Sequence, residues 1–400
     1  MLDMEARQAV ADLADAVLEI RPLAERLGPP LPVGAAHDAL APVLDRVTER
    51  LGATPLAPKD AEGDAGTEAF RRVAVARLGL EELAAPLAAV VDDGLDGVDR
   101  VVDARVRADF GEWCRSAVLE RPDGALVPAY AAGDPAAPAV VIASACGMPA
   151  RLAERWMRRL AADHHVLTWE SRALFADPGV GDLDADRHAD VPVDVQAQAG
   201  DLVAVMDHFG VADAHVAGLC GGAVVALEAA AAEPGRISSL SLWHGDLDLG
   251  PDTPKTDHQR NLQALMELAA GSAEDAARLH AVVCQAILQS VPPDLAHLVL
   301  YPYVTPELLH RYSRLNGAIM GHDLSDRCGD VTQPTVVVTS RDDETAHPEG
   351  SRLLAAGLPR ARLVVNDHGD HLSVFRGEPA LLADAVRLIR DVSAGERSSA

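Results

Sequence analysis

His215-Val216-Ala217-Gly218-Leu219-Cys220-Gly221-Gly222 runs from a short apolar strand pattern into Ala223-Val224-Val225-Ala226-Leu227, the opening of a helix that reaches about Glu233. A sharp strand-to-helix turn lifts its tip residue above a sheet, and small neighbours at Gly218, Gly221 and Gly222 make room for it. Cys220 is the tip. A thiol there reads as a nucleophile, and the helix N-terminus under the sulfur favours the thiolate. The competing interpretation is a buried structural cysteine beside a glycine-rich turn. Strand, turn and helix agree with each other, which favours the nucleophile. The same glycines lack both GxGxxG spacing and a Walker lysine, so they are not a phosphate-binding loop.

Outward from this turn, short apolar runs alternate with helical stretches, as in a mostly parallel sheet covered by helices. Ser116 to Arg121 and Ala125 to Ala131 flank the turn signal Pro122-Asp123-Gly124 and read as an antiparallel hairpin. Further strands are expected at Ala139 to Ala145, His165 to Trp169, Ala214 to Gly218, Ile237 to Trp243, Thr335 to Thr339 and Arg362 to Val365. Helical patterns at Gln259 to Leu268, Ala273 to Leu288 and Pro306 to Met320 interrupt the alternation, and a last helix covers Glu378 to Val392. Before Cys114 the chain reads as helices without a clear strand: Glu5 to Leu27, stopped by Gly28-Pro29-Pro30, then His37 to Leu51, Thr67 to Leu80, Glu81 to Val91 and Val98 to Trp113.

From about Cys114 to Val392 the chain resembles the α/β-hydrolase fold, on the strength of the elbow and of eight strands whose first pair is antiparallel. The resemblance implies four segments: a helical N-terminal module over 1–114, core over 115–245, a helical lid over 246–330 that shapes the pocket, and core again over 331–400. It also implies the order nucleophile, acid, histidine. Asp343 in Ser340-Arg341-Asp342-Asp343-Glu344 is the expected acid, with Asp342 the alternative. His371 in His368-Gly369-Asp370-His371 is the expected base, with His368 its rival. The oxyanion hole is expected from the N–H of Gly221 and that of Met148, because Ala145-Cys146-Gly147-Met148-Pro149 is similar to a His-Gly-x-Pro turn with Cys146 in the histidine position. Trp169-Glu170-Ser171-Arg172 resembles an Asp-x-Arg-Gly region, where the arginine supports loops.

Composition bounds the partners. The 400 residues carry 35 Lys+Arg against 61 Asp+Glu, a formal charge of -26, and 3% aromatic residues, so nucleic acid and anionic membrane surfaces are not expected partners. No apolar run spans a membrane and no signal sequence opens the chain, which leads to the expectation of a cytoplasmic protein. Five cysteines without CxxC spacing give neither a disulfide framework nor a metal cluster, and no bound cofactor is expected.

Among α/β-hydrolases with a cysteine elbow, the chain is similar to the aminoacyl shuttles of nonribosomal peptide assembly lines, in its long N-terminal extension and helical insertion. That resemblance implies an acyltransferase that moves an (amino)acyl group between the phosphopantetheine thiols of carrier proteins through a Cys220 thioester. Thioester exchange is nearly isoenergetic and therefore reversible. Arg151, Arg155, Arg158 and Arg159, largely on one face of a helix, are the candidate contact for an acidic carrier, against the plainer interpretation of a solvated face. The alternative function is a cysteine-nucleophile thioesterase or ester/lactone hydrolase. Carrier docking, pocket covering and homodimer formation are all open to the N-terminal helices.

Overall fold

The computed structural model describes residues 2–27, 31–33, 35–53, 56–58, 63–175, 191–367 and 369–397. These fall into two compact units: Met1–Trp113 with Ala276–Leu309, and Cys114–Asp275 with His310–Ala400. The segment read from sequence as a single lid, 246–330, is thus divided between them.

In the first unit, helix Met4–Leu27 buries Val10, Leu13, Val17, Ile20 and Leu23 at helical spacing, and helices Ala65–Leu78, Leu80–Asp92 and Val98–Ala108 pack against it. Asp64 Oδ1 accepts the Thr67 N–H at 2.8 Å, an N-cap that starts helix Ala65–Leu78. Gly66 is one place where Ala276–Leu309 meets the N-terminal helices. A Cβ at residue 66 would stand 1.8 Å from the Val304 carbonyl oxygen, so only glycine admits that close approach. Helix Pro293–Val299, which the sequence reading missed, packs on the same helix. The expectation of no strand also needs correction: β1 (Leu31–Val33) and β2 (Leu56–Pro58) form a short parallel pair. Pro32 and Pro58, whose fixed φ suits extended backbone, lie within it.

The second unit holds an eight-stranded sheet of β3 (Arg115–Glu120), β4 (Leu126–Ala132), β5 (Ala139–Ala143), β6 (His165–Trp169), β7 (Ala214–Leu219), β8 (Ile237–Trp243), β9 (Thr335–Ser340) and β10 (Ala361–Asn366). The order across the sheet is β10-β9-β8-β7-β5-β6-β4-β3, with β4 antiparallel to both its neighbours and every other pairing parallel. This is the α/β-hydrolase fold. β7 is buried along its whole length, as a central parallel strand covered on both faces must be. Its one polar side chain, His215, bonds Ser239 Oγ at 2.8 Å and Ser241 Oγ at 2.9 Å, and burial pushes its imidazole down to about 3. Among the described residues no helix is long and apolar enough to cross a membrane.

Arg172, after β6, shows what the Asp-x-Arg-like stretch does. It is 1% exposed and grips Asp201 through Nε at 2.7 Å and a terminal nitrogen at 2.6 Å, and Asp123 of the β3–β4 turn at 2.6 Å. The arginine supports loops, as expected.

Candidate active site

The turn after β7 sets the position of Cys220. Its φ is +55°, a left-handed conformation that a side chain adopts only when its surroundings impose it. They do so by crowding. A Cβ at Gly222 would lie 2.0 Å from the Ala143 carbonyl oxygen at the end of β5, and one at Gly218 would lie 2.7 Å from the Ala223 Cα. The Cys220 N–H donates to the Trp243 carbonyl at 3.0 Å, which ties the elbow to the end of β8, and helix Gly222–Ala232 begins directly behind it.

His371 and Asp343 come to this thiol from the ends of β10 and β9. His371 Nδ1 lies 3.2 Å from Asp343 Oδ2, and the same imidazole hydrogen-bonds Cys220. With Nδ1 on the carboxylate, Nε2 is the nitrogen left for the sulfur. Burial opposes a charged imidazole here, but the Cys220 sulfur and the Asp343 carboxylate outweigh it and raise the His371 pKa well above its ordinary value. Burial likewise pushes the Asp343 carboxyl up, yet the two histidines that bond it hold it below the usual range. The Thr345 and Ala346 N–H groups complete its surroundings, each donating to Oδ1 at 2.9 Å. Asp342 is exposed, whereas Asp343 is 4% exposed. His368 lies outside the described residues.

The second histidine on Asp343 is His244, which sequence reasoning missed. It follows β8, and its Nδ1 stands 2.7 Å from Asp343 Oδ2. His244, Asp343 and His371 offer atoms within 4.8 Å of one another, and both histidines bond the Asp343 carboxylate. Trp243-His244-Gly245-Asp246 shows a histidine at a strand end, but nothing local in it names Asp343 as the partner.

The loop after β5 departs from expectation in one respect. Ala145–Met148 is a tight turn with Gly147 at φ +78°, and the Met148 N–H donates to the Ala145 carbonyl at 3.2 Å. The N–H nominated for the oxyanion is therefore already bonded. The Gly221 N–H stands at the helix start, where an intrahelical acceptor does not exist. Two residues of the Trp169–Arg172 stretch hold the loop: Ser171 Oγ accepts the Gly147 N–H at 2.8 Å, and Glu170 Oε1 accepts the Ala150 N–H at 3.1 Å. Tyr312 and Ile319, on helix Pro306–Met320, stand over Gly147 and Gly221. Cys146 is buried beside Cys220, and burial, then the neighbouring thiol, raises its pKa, which keeps it a protonated wall.

The arginine face is partly paired. Arg151 and Arg158 both pair with Glu154, at 3.6 and 2.7 Å, and Arg155 donates to the Arg376 carbonyl at 2.8 Å. Arg159 is exposed. Glu154 lies three residues after one arginine and four before another, so helical spacing itself sets one carboxylate against two of the four arginines.

No family model matches the chain. It is similar to a protein of Pseudomonas savastanoi pv. phaseolicola named "Putative carbamate hydrolase RutD", 26% identical over 253 residues that cover 59% of this chain and 88% of that one. A protein of the same name from Azorhizobium caulinodans is 27% identical over 215 residues, covering 53% of this chain and 76% of the other. Among solved structures, the enol-lactonase of Burkholderia xenovorans LB400 superposes with TM-score 0.52 at 18% identity, over 68% of this chain and 100% of that one. A hydrolase from Pseudomonas aeruginosa PA01 gives TM-score 0.52 at 20% identity, over 68% and 97%. These relatives overturn the reading as a carrier-to-carrier acyltransferase, together with its place in nonribosomal peptide synthesis. The features on which that reading rested, an N-terminal extension and a helical insertion, describe architecture and do not select transfer over hydrolysis.

Proposed function

We propose that the chain is a cysteine-dependent hydrolase acting on an ester or lactone carbonyl. The observation that carries this reading is the line Cys220, His371, Asp343 at a turn whose φ of +55° holds the thiol above the sheet. The relatives named as carbamate hydrolases and the enol-lactonase neighbour support it. A sulfur anion beside a charged imidazole attacks the carbonyl carbon, forming the S–C bond and a tetrahedral oxyanion. His371 then passes its Nε2 proton to the alkoxide as the C–O bond breaks, which leaves an acyl thioester on Cys220. Water attacks that thioester, His371 takes a proton from it, and the sulfur departs with its electron pair. Asp343 holds the Nδ1–H tautomer throughout. The Gly221 N–H is the first donor to the oxyanion, and Met148 N–H can join it only by sharing its bond to Ala145.

The test uses the full chain with p-nitrophenyl butyrate, a lactone, a carbamate ester and an acyl thioester as substrates. Wild type is expected to hydrolyse one or more of these, with an acyl adduct on Cys220 seen by intact mass after acid quench. Cys220→Ala should lose about 10³-fold or more in kcat. Turnover that survives in Cys220→Ala would sink the proposal, as would failure with every substrate class.

A further inference from the structure

We infer that His244 is a positioning residue: it shares the Asp343 carboxylate with His371 and limits how much of that negative charge reaches the imidazole serving Cys220. The inference rests on the cysteine-hydrolase reading. An ionised carboxylate only accepts, so both histidines present Nδ1–H to the same oxygen, Oδ2. Oδ1 is occupied by the Thr345 and Ala346 N–H groups, and those two backbone bonds already fix the plane of the carboxylate. His244 is therefore not needed to aim Asp343. What it changes is the division of charge, and it holds the shorter contact, 2.7 Å against 3.2 Å.

The backbone is built for this placement. The His244 N–H donates to the Val338 carbonyl at 2.9 Å, which extends the β8–β9 pairing by one residue, and φ then turns to +48° to point the ring at Asp343. Left-handed non-glycine residues persist only where the surroundings impose them, and such positions concentrate at functional sites. The ring is 2% exposed and meets His371 edge to face at 5.9 Å between centroids. Three other titratable groups lie at or near this pair. Cys220 faces His371 from the elbow, and Cys146 stands behind Cys220. His258, on helix Asp257–Gly271, interacts with His371, Asp343 and Asp246. Among the described residues, none of these three shares Oδ2 with His371.

Without the His244 donor, the Asp343 to His371 bond tightens and the imidazole holds its proton longer. The experiment compares wild type with His244→Ala, His244→Gly, which adopts φ +48° without strain, and His244→Asn. Asparagine places Nδ2 as many bonds from Cα as Nδ1 and tolerates the left-handed region. Two pH profiles are recorded: alkylation of Cys220 by iodoacetamide, and kcat/KM for p-nitrophenyl butyrate. In the Ala and Gly variants the upper step of alkylation and the alkaline limb of kcat/KM should both move up by about one pH unit, with kcat down about tenfold and KM unchanged. His244→Asn should restore the wild-type limb. Profiles that coincide with wild type in Ala and Gly, or an Asn variant that behaves like Ala, would overturn the inference. So would failure of all three variants to fold by circular dichroism, since His244 would then be structural. Alkylation needs no substrate, so a shifted alkylation profile without hydrolysis would remove the hydrolase reading and leave His244 in its role. Hydrolysis with unshifted profiles would do the reverse.

Discussion

Charged side chains do different work in the two units. The helices of the first are laced by arginine–carboxylate pairs at the surface: Arg46 with Asp99, Arg50 with Asp103, Arg105 with Asp15 and Arg77 with Glu19. Arg105 and Asp15 remain 40% and 28% exposed. The sheet unit has such surface pairs too, Arg341 with Asp367 among them, but it adds enclosed ones: Arg172 and Asp201 are each 1% exposed, and Asp343 with its two histidines is as deeply set. Water screens the first kind and competes for it, so each pair adds little. The second kind has no such competitor, and loss of one partner strands the other. The same residue types thus tie helices loosely in one region and fix the loops and the site in the other.

The sharpest way to break the contrast is Arg172→Met. It leaves Asp123 without its arginine contact and Asp201 with Arg121 alone, and should cost about 3 kcal/mol or more, read as a lower urea midpoint of the sheet unit. A loss below about 1 kcal/mol would place this pair with the surface ones. Glu170 tests an intermediate case. Burial raises its carboxyl to about 7, above an ordinary value of 4.5, against the pull of the Ala150 N–H, Tyr130 and Arg151. Between those pH values the folded chain keeps a proton that the unfolded chain has released, so stability falls as pH rises from 4.5 to 7. Glu170→Gln should remove that slope and stand about 1–2 kcal/mol above wild type at pH 8, compared by thermal midpoints across the window. Parallel curves for the two proteins would show that Glu170 titrates normally. The smallest effect is expected from Arg105→Ala in the first unit. Its cost should be under about 1 kcal/mol and should shrink further in 0.5 M salt, whereas the Arg172 effect should hardly respond to salt.

The elbow, the strands and the order Cys220, Asp343, His371 were legible because each is written locally: apolar runs between turn signals, small residues around a reactive one, polar residues at strand ends. What escaped depended on distance through space. His244 meets Asp343 across 99 positions of sequence, and only the pairing of β8 with β9 brings them together. The grouping of Ala276–Leu309 with the N-terminal helices depends on packing between distant segments, with helix Pro293–Val299 on Ala65–Leu78 and Gly66 against the Val304 carbonyl, which no periodicity reveals. Two further contacts were readable after all. Gly147 at the third place of a tight turn implies that the Met148 N–H bonds the Ala145 carbonyl, and Glu154 amid the arginines implies that two of them are paired. The functional misreading had another origin: a thiol nucleophile is compatible with transfer and with hydrolysis, and the residues that hold it are the same for both.

The crowding of Gly222 against Ala143 carries a consequence beyond this reaction. The left-handed turn at position 220 sits between two close main-chain approaches, at 218 and at 222, and neither of them involves the sulfur. Sulfur is thus a removable fitting on a fixed mount. Serine in place of Cys220 would change one atom at this corner, while any added carbon at 218 or 222 would dismantle the corner itself. Of everything in the motif, the reagent is the easiest part to exchange and the empty spaces around it the hardest.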